Sequence, residues 1–128
     1  MSYFSGSEHG SGSARIARSD DLRRFEVAPG VAILPMLGER MNLNLVELAP
    51  DAVAAVHTHE EEQMGYVVRG SMDFTDGSST WTLVPGDIYH AAPGVPHGAT
   101  AHPEGCLVID AFTPPRAGVK EMLELPPG

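Results

Sequence analysis

Cys106 is the only cysteine in the chain. It cannot close an intramolecular disulfide, so a bridge-stapled scaffold is excluded, and a reducing cytoplasm is the natural expectation. Basic side chains are also scarce: eight Lys and Arg against 17 Asp and Glu leave a net charge of −9. A phosphate backbone is met by a basic footprint, so no nucleic-acid partner is expected, and any attraction for an anionic ligand must be local. No apolar run approaches the ~20 residues needed to cross a bilayer, so no membrane span is expected. The opening MSYFSGSEHGSGSAR lacks the apolar core of a secretory signal. No internal repeat is present, and helical periodicity is confined to the short closing stretch RAGVKEML.

What remains is a chain of 128 residues, the size of one domain, with 42% hydrophobic residues to build a core. Residues 1–14 are rich in Ser and Gly and read as a flexible tail or a cloning remnant, leaving residues 15–128 as the domain. SDDLRRF is expected to form one helical turn capped by Ser19. Beyond it the chain is densely punctuated by Pro and Gly. Short β-like runs lie between these breaks: VAIL, MNLNLVEL, AVAAVH, MGYVVRG, SMDF, STWTLV, DIYHAA and GCLVIDAF. Short strands separated by turn signals predict an all-β sandwich or barrel, and nothing leaves room for parallel crossovers. DFTDGSSTW predicts a hairpin turning at Asp76-Gly77.

The histidines carry the chemical signal. His57 and His59 are two apart in HTHEEEQ and share a face if the stretch is extended. A turn through the glutamates returns Gln63 to the same side on the next strand. His97 closes the tight turn APGVPH, which fixes the direction of its ring. Taken alone, the stretch is either a solvated acidic turn or part of a ligand set. Three imidazoles and one oxygen donor suit a divalent transition metal with open positions, such as Zn, Mn, Fe, Co or Ni.

From His57 the chain reads H-x-H-x3-Q-x6-G to Gly70, and from Gly86 it reads G-x5-A-P-G-x2-H to His97. Together these resemble the two motifs of the cupin family, over about Val31 to Arg116. The resemblance implies a single-domain cupin β-barrel of jelly-roll, double-stranded β-helix type. One metal would lie inside, held by His57, His59, Gln63 and His97. Three positions depart from the family pattern: Asp51 stands where a Gly is usual, Ala92 where a Pro is usual, and Ala101 where an Asn often stands. The first two are turn positions, and Asp tolerates turn geometry.

Gln63 replaces the common Glu. A shell of three neutral imidazoles and an amide leaves the ion its full charge, which favours Lewis acidity and anionic ligands. Glu62 is the rival ligand, but strand alternation turns it away from Gln63, along with Met64 and Tyr66. Glu60 and Glu61 are expected on a solvated rim. Asp110 shares a strand face with Cys106, Val108 and Phe112, and burial there demands a partner or a use. Arg116 could pair with it structurally. Alternatively, Asp110 moves protons while Arg116 clamps a substrate carboxylate. D-x-F-x3-R, with Gln as fourth ligand, resembles the small cupins that act on unsaturated uronate sugars from pectin and alginate.

Other residues receive plainer expectations. Val67, Cys106, Val108 and Phe112 are expected to form interior walls. Met36, Met41, Met64 and Met72 are read as core filler, His90 as a core-edge or cross-strand residue, and His102 as an exposed loop residue. Tyr66 and Trp81 are packing residues that could also line a pocket mouth, and Tyr66 and Phe112 are taken with Arg116 as substrate contacts. The leading expectation is a non-redox isomerase or ring-opening enzyme for a small anionic carboxylate, with catalytic Asp110. The alternatives are an Fe- or Mn-dependent dioxygenase and a ligand-binding cupin without catalysis. A homodimer is expected through the sheets, with the N-terminal segment as a candidate for strand exchange.

Overall fold

The computed structural model describes residues 14–126, so the tail expected at residues 1–14 and its strand exchange fall almost wholly outside the described residues. Among the described residues there are eight strands: β1 Phe25–Ala28, β2 Val31–Leu37, β3 Asn42–Leu48, β4 Val53–His57, β5 Glu62–Thr75, β6 Thr80–Leu83, β7 Ile88–Ala91 and β8 His97–Thr113. A helix, α1 Val119–Glu124, follows. All pairings are antiparallel, in the order β1-β2-β3-β8-β5-β6, with β4 on β8 and β7 on β5.

β5 and β8 are long enough to take two partner strands along one edge each. β8 pairs β4 with its first half and β3 with its second, while β5 pairs β7 and then β6. Register shifts near Val67/Arg69 and Gly70/Met72 bend the β5–β8 ladder at its middle, as bulges do. At the bend, Gly70 has φ +73°, and a Cβ there would run into the Gly105 carbonyl. Only glycine fits that crossing of backbones. Val31, Val46, Leu48, Val67, Met72, Phe74, Cys106 and Val108 fill the deep end of the barrel. The four walls expected at Val67, Cys106, Val108 and Phe112 are all buried.

Pro35 sits within β2, past the residues that β1 covers, where its missing N–H deprives no partner strand. α1 packs Val119 and Leu123 on Leu37 and Phe25. Arg23 donates to the Leu123 and Leu125 carbonyls, which the helix end leaves free. Asp51 has φ +62°, which accounts for the glycine usual at that position. The hairpin at Asp76-Gly77 joins β5 to β6 as expected, with Asp76 accepting from the backbone of Ser78 and Ser79.

Several expectations are corrected. Ser19 does not cap a helical turn: it begins a short 3-10 turn, Ser19–Asp21, preceded by Arg18 and without a side-chain cap. Phe25–Ala28 is an additional strand. Met41 and Met64 are about half exposed, Met64 because it alternates with the inward Gln63; Met72 alone of the four is deeply buried. His102 lies within β8, not in a loop. Its Nδ1 is 2.7 Å from Ser71 Oγ and its Nε2 2.8 Å from Asp73 Oδ1, and this network ties the bulged part of β8 to β5. Trp81 packs across the strands on Phe74, with about half its surface exposed.

Candidate metal centre and cavity

His57 ends β4 and His97 begins β8, and the two are direct partners in the β4–β8 ladder. His59 follows in the turn, and Gln63 is the second residue of β5, with its side chain buried. The three imidazoles meet, with ring centroids 4.5–5.4 Å apart. One ring nitrogen from each lies within 4.8 Å of the others, and the three histidines form a group able to hold a metal ion.

Hydrogen bonding fixes the rings. His57 Nδ1 is 2.8 Å from the Ala55 carbonyl, His59 Nδ1 2.9 Å from that of Glu61, and His97 Nδ1 2.9 Å from that of Val95. A carbonyl only accepts, so each Nδ1 carries the hydrogen and each Nε2 of a neutral ring presents a lone pair. Burial first, then the neighbouring His57 and His59, hold His97 below its ordinary pKa, which favours the neutral ring. Gln63 Oε1 lies 3.0 Å from both His59 Nε2 and His97 Nε2.

With neutral rings, these are contacts between acceptors, and a cation among them resolves the repulsion. Ligand bonds of about 2.0–2.2 Å to one ion bring donor atoms within a few ångströms of one another, as these are. The donor set therefore fits a divalent transition metal. Backbone partners on every Nδ1 supply the orienting contacts that such ligands need. Glu62 points outward and pairs with His90 at 2.6 Å, across the strand from Met64.

Beside this cluster, Asp110 is buried and accepts a hydrogen bond from the Tyr89 hydroxyl. Gln63 Nε2 lies 3.4 Å from that hydroxyl and also reaches Asp110. Burial raises the Asp110 carboxyl to about 6 against the lowering effect of these hydrogen bonds. Burial and then Asp110 push Tyr89 well above its ordinary value, so it remains a donor. Gly65 pairs with both Tyr89 and Asp110, and a Cβ there would lie inside the Tyr89 ring and against the carboxylate.

The expected Asp110–Arg116 pair does not form. Arg116 lies beyond the Thr113–Pro114 cis bond, its backbone N–H donates to Asn42 Oδ1, and its guanidinium is 3.7 Å from Glu61. Glu61 is not on a solvated rim. It is buried, accepts from the Ala117 N–H at 3.0 Å, and holds Oε1 3.3 Å from His59 Nδ1. Burial works to raise its carboxyl, but backbone N–H groups, Arg116 and His59 outweigh this and hold it low. The chain returning at Arg116–Ala117 covers Glu61, and no local pattern in EEE announces that.

A cavity of about 340 Å³ opens onto the cluster, with His57, Gln63, Tyr89, His97, Asp110, Phe112 and Arg116 on its wall. Tyr66 is not among them. It faces outward on β5 and is 44% exposed, so strand alternation removes it from the cavity wall. Tyr89 takes that place. Its signal was available in Gly65, since a glycine inside an apolar strand marks a close approach.

An antiparallel barrel with three convergent imidazoles inside it defines a metal-cupin architecture. The chain belongs to the cupin family: residues 44–112 match the family model described as "Cupin domain". The pectin degradation protein KdgF of Dickeya dadantii (strain 3937) is 34% identical over 73 residues, covering 56% of this chain and 66% of that protein. The solved KdgF from Halomonas sp. is 32% identical, with a TM-score of 0.70 over 74% of this chain and 88% of that one. An RmlC-like cupin from Shewanella frigidimarina NCIMB 400 shares the fold at 24% identity, with a TM-score of 0.76 over 82% and 95% of the two chains. No helix among the described residues is long and apolar enough to cross a membrane.

Proposed function

We propose that this cupin is a metal-dependent, non-redox enzyme that isomerises or ketonises a small unsaturated carboxylate, with unsaturated sugar acids as the first class to test. His57, His59, Gln63 and His97 would hold one divalent ion, which when bound supplies Lewis acidity toward a substrate oxygen. The observation that carries the reading is Asp110: a buried carboxyl raised to about 6, bonded to Tyr89 and beside Gln63 in the cavity wall. A carboxyl poised near neutrality can both take and return a proton.

In ketonisation the enol O–H gives up its proton and its electron pair forms the carbonyl. The former C=C pair takes a proton at carbon, so no oxidant is consumed. Asp110 moves the proton, Tyr89 holds Asp110 in place, and Arg116 receives the carboxylate with Phe112 against the substrate body. The likeness to two proteins named KdgF, one described as a pectin degradation protein, supports a sugar-acid substrate.

The test is turnover of unsaturated uronates by the zinc-loaded protein under nitrogen, with Asp110→Asn compared at equal metal content. Anaerobic turnover lost in Asp110→Asn supports the reading, and turnover retained in that variant removes Asp110 from its role. Turnover that requires oxygen and Fe or Mn assigns the dioxygenase alternative. Binding without turnover assigns a ligand-binding cupin.

A further inference from the structure

β3 changes character where it passes Asp110. Its inward face reads Asn42, Asn44, Val46 and Leu48, all buried. Val46 and Leu48 lie opposite Val108 and Cys106 in the apolar depth of the barrel, whereas Asn44 lies opposite Asp110. Asp110 is in turn opposite Gly65, and Gly65 opposite Tyr89. Asn44, Asp110 and Tyr89 therefore form one polar row across the sheet, and all three stand in the cavity wall.

Hydrogen bonds settle which way the Asn44 amide faces. A backbone N–H only donates, so the Asn42 side chain takes the Arg116 N–H at 2.6 Å through its oxygen. The Asn42 nitrogen is then the donor to Asn44 Oδ1, at 2.9 Å. That spends the oxygen of Asn44 and leaves its N–H2 group with no acceptor among the described residues. Asp110 does not serve, because its hydrogen bonds come from Tyr89 and Gln63. The Arg116 guanidinium, 3.7 Å from Glu61, also keeps its donors free of hydrogen bonds. Asn44 is only 4% exposed. A buried donor without an acceptor is costly, so this one calls for an oxygen that arrives with the ligand.

We infer that Asn44 is a specificity-determining residue: its N–H2 group donates to a hydroxyl oxygen of the sugar acid while Arg116 holds the carboxylate. The inference rests on the sugar-acid reading of this cavity. Directly opposed strand residues have Cβ atoms about 5 Å apart, so the hydroxyl that Asn44 reads lies close to the atom that Asp110 serves. A deoxy acid lacking that hydroxyl would leave the donor unpaired and be rejected on that account.

Calorimetric titration of the zinc-loaded protein with a saturated uronate, galacturonate, and with its 2-deoxy and 3-deoxy analogues tests this without turnover. The full uronate should bind about tenfold more tightly than one of the analogues, and in Asn44→Leu that preference should shrink to about twofold or less. Asn44→Thr, which suits a strand and still offers Asn42 an oxygen, should lose the preference likewise and replaces Asn44→Leu if that variant does not fold. A merely structural Asn44 would weaken all three acids alike, which overturns the inference. Equal Kd of the native protein for the three acids also overturns it, while leaving the carboxylate site intact. If none of the uronates binds, the sugar-acid reading of the cavity fails and the inference falls with it.

Discussion

The Nδ1 hydrogen of His59 points at the Glu61 carbonyl, with the Glu61 carboxylate 3.3 Å away and buried. A carboxylate beside the hydrogen-bearing nitrogen makes the opposite nitrogen a better donor to an ion. Glu61→Gln is therefore expected to weaken zinc binding by roughly tenfold, read by competition with a chromophoric chelator. The exposed Glu60→Gln should leave it unchanged, and equal affinities would limit Glu61 to holding the Ala117 backbone. Asp110 gives a second prediction. Its carboxyl is raised from 3.8 to about 6 in the folded chain, so between those values the folded state holds more protons than the unfolded state, and stability falls as pH rises. The cost is complete above pH 6 and amounts to about 3 kcal/mol at most. In metal-free protein, urea unfolding should show Asp110→Asn gaining on the native chain by up to that amount between pH 4 and pH 7.5. A pH-independent difference would contradict the raised carboxyl.

At the scale of strands, the ladder between β5 and its neighbours decides what faces the cavity. Gly65 lies opposite Tyr89 on one side and Asp110 on the other, and its missing side chain lets both groups reach the centre. Gly65→Ala is expected to cost roughly 1–3 kcal/mol, as overpacking does, and to displace the Tyr89–Asp110 pair. Zinc affinity should fall less than turnover, because three of the four proposed ligands, the histidines, come from other segments; turnover at the native level would show that the pair tolerates the shift. The same alternation explains what the sequence made legible. Strand runs, the Asp76-Gly77 hairpin, the inward Gln63 and the outward Glu62 all follow from period-two patterning and turn chemistry. His97 was readable because its turn is local. Glu61 was not, since it is buried by a segment 56 residues away, and Tyr89 was announced only indirectly, by Gly65, because its own place is set by register between strands. The Asp110–Arg116 pair failed for a related reason: proximity in sequence did not decide the partner, and the Arg116 guanidinium lies near Glu61 instead.

For the whole molecule, the outer face of the barrel is the feature a solitary barrel leaves unexplained. Antiparallel sheets that face water alternate polar residues outward. Here the outward residues of β5 are Met64, Tyr66 and Val68. The register extends them sideways: Ile88, Tyr66, Ile109 and Leu45 form one row across four strands, and Met64, Ala111 and Leu43 form the next. Ile88 is 68% exposed, and the His90–Glu62 pair marks the polar edge of the patch. A contiguous apolar patch on a sheet face marks an interaction surface, and a second copy related by a two-fold axis meets it with the same residues. We propose that the chain is a homodimer through this face, which needs about 800 Å² from each partner for a stable interface. Sedimentation should find a dimer at micromolar concentration, and Ile88→Glu should convert it to a monomer with unchanged zinc affinity, because the metal cluster opens to the other side of the sheet. A monomeric native chain, or a dimer that survives both Ile88→Glu and Tyr66→Glu, would show that this face serves something other than self-association.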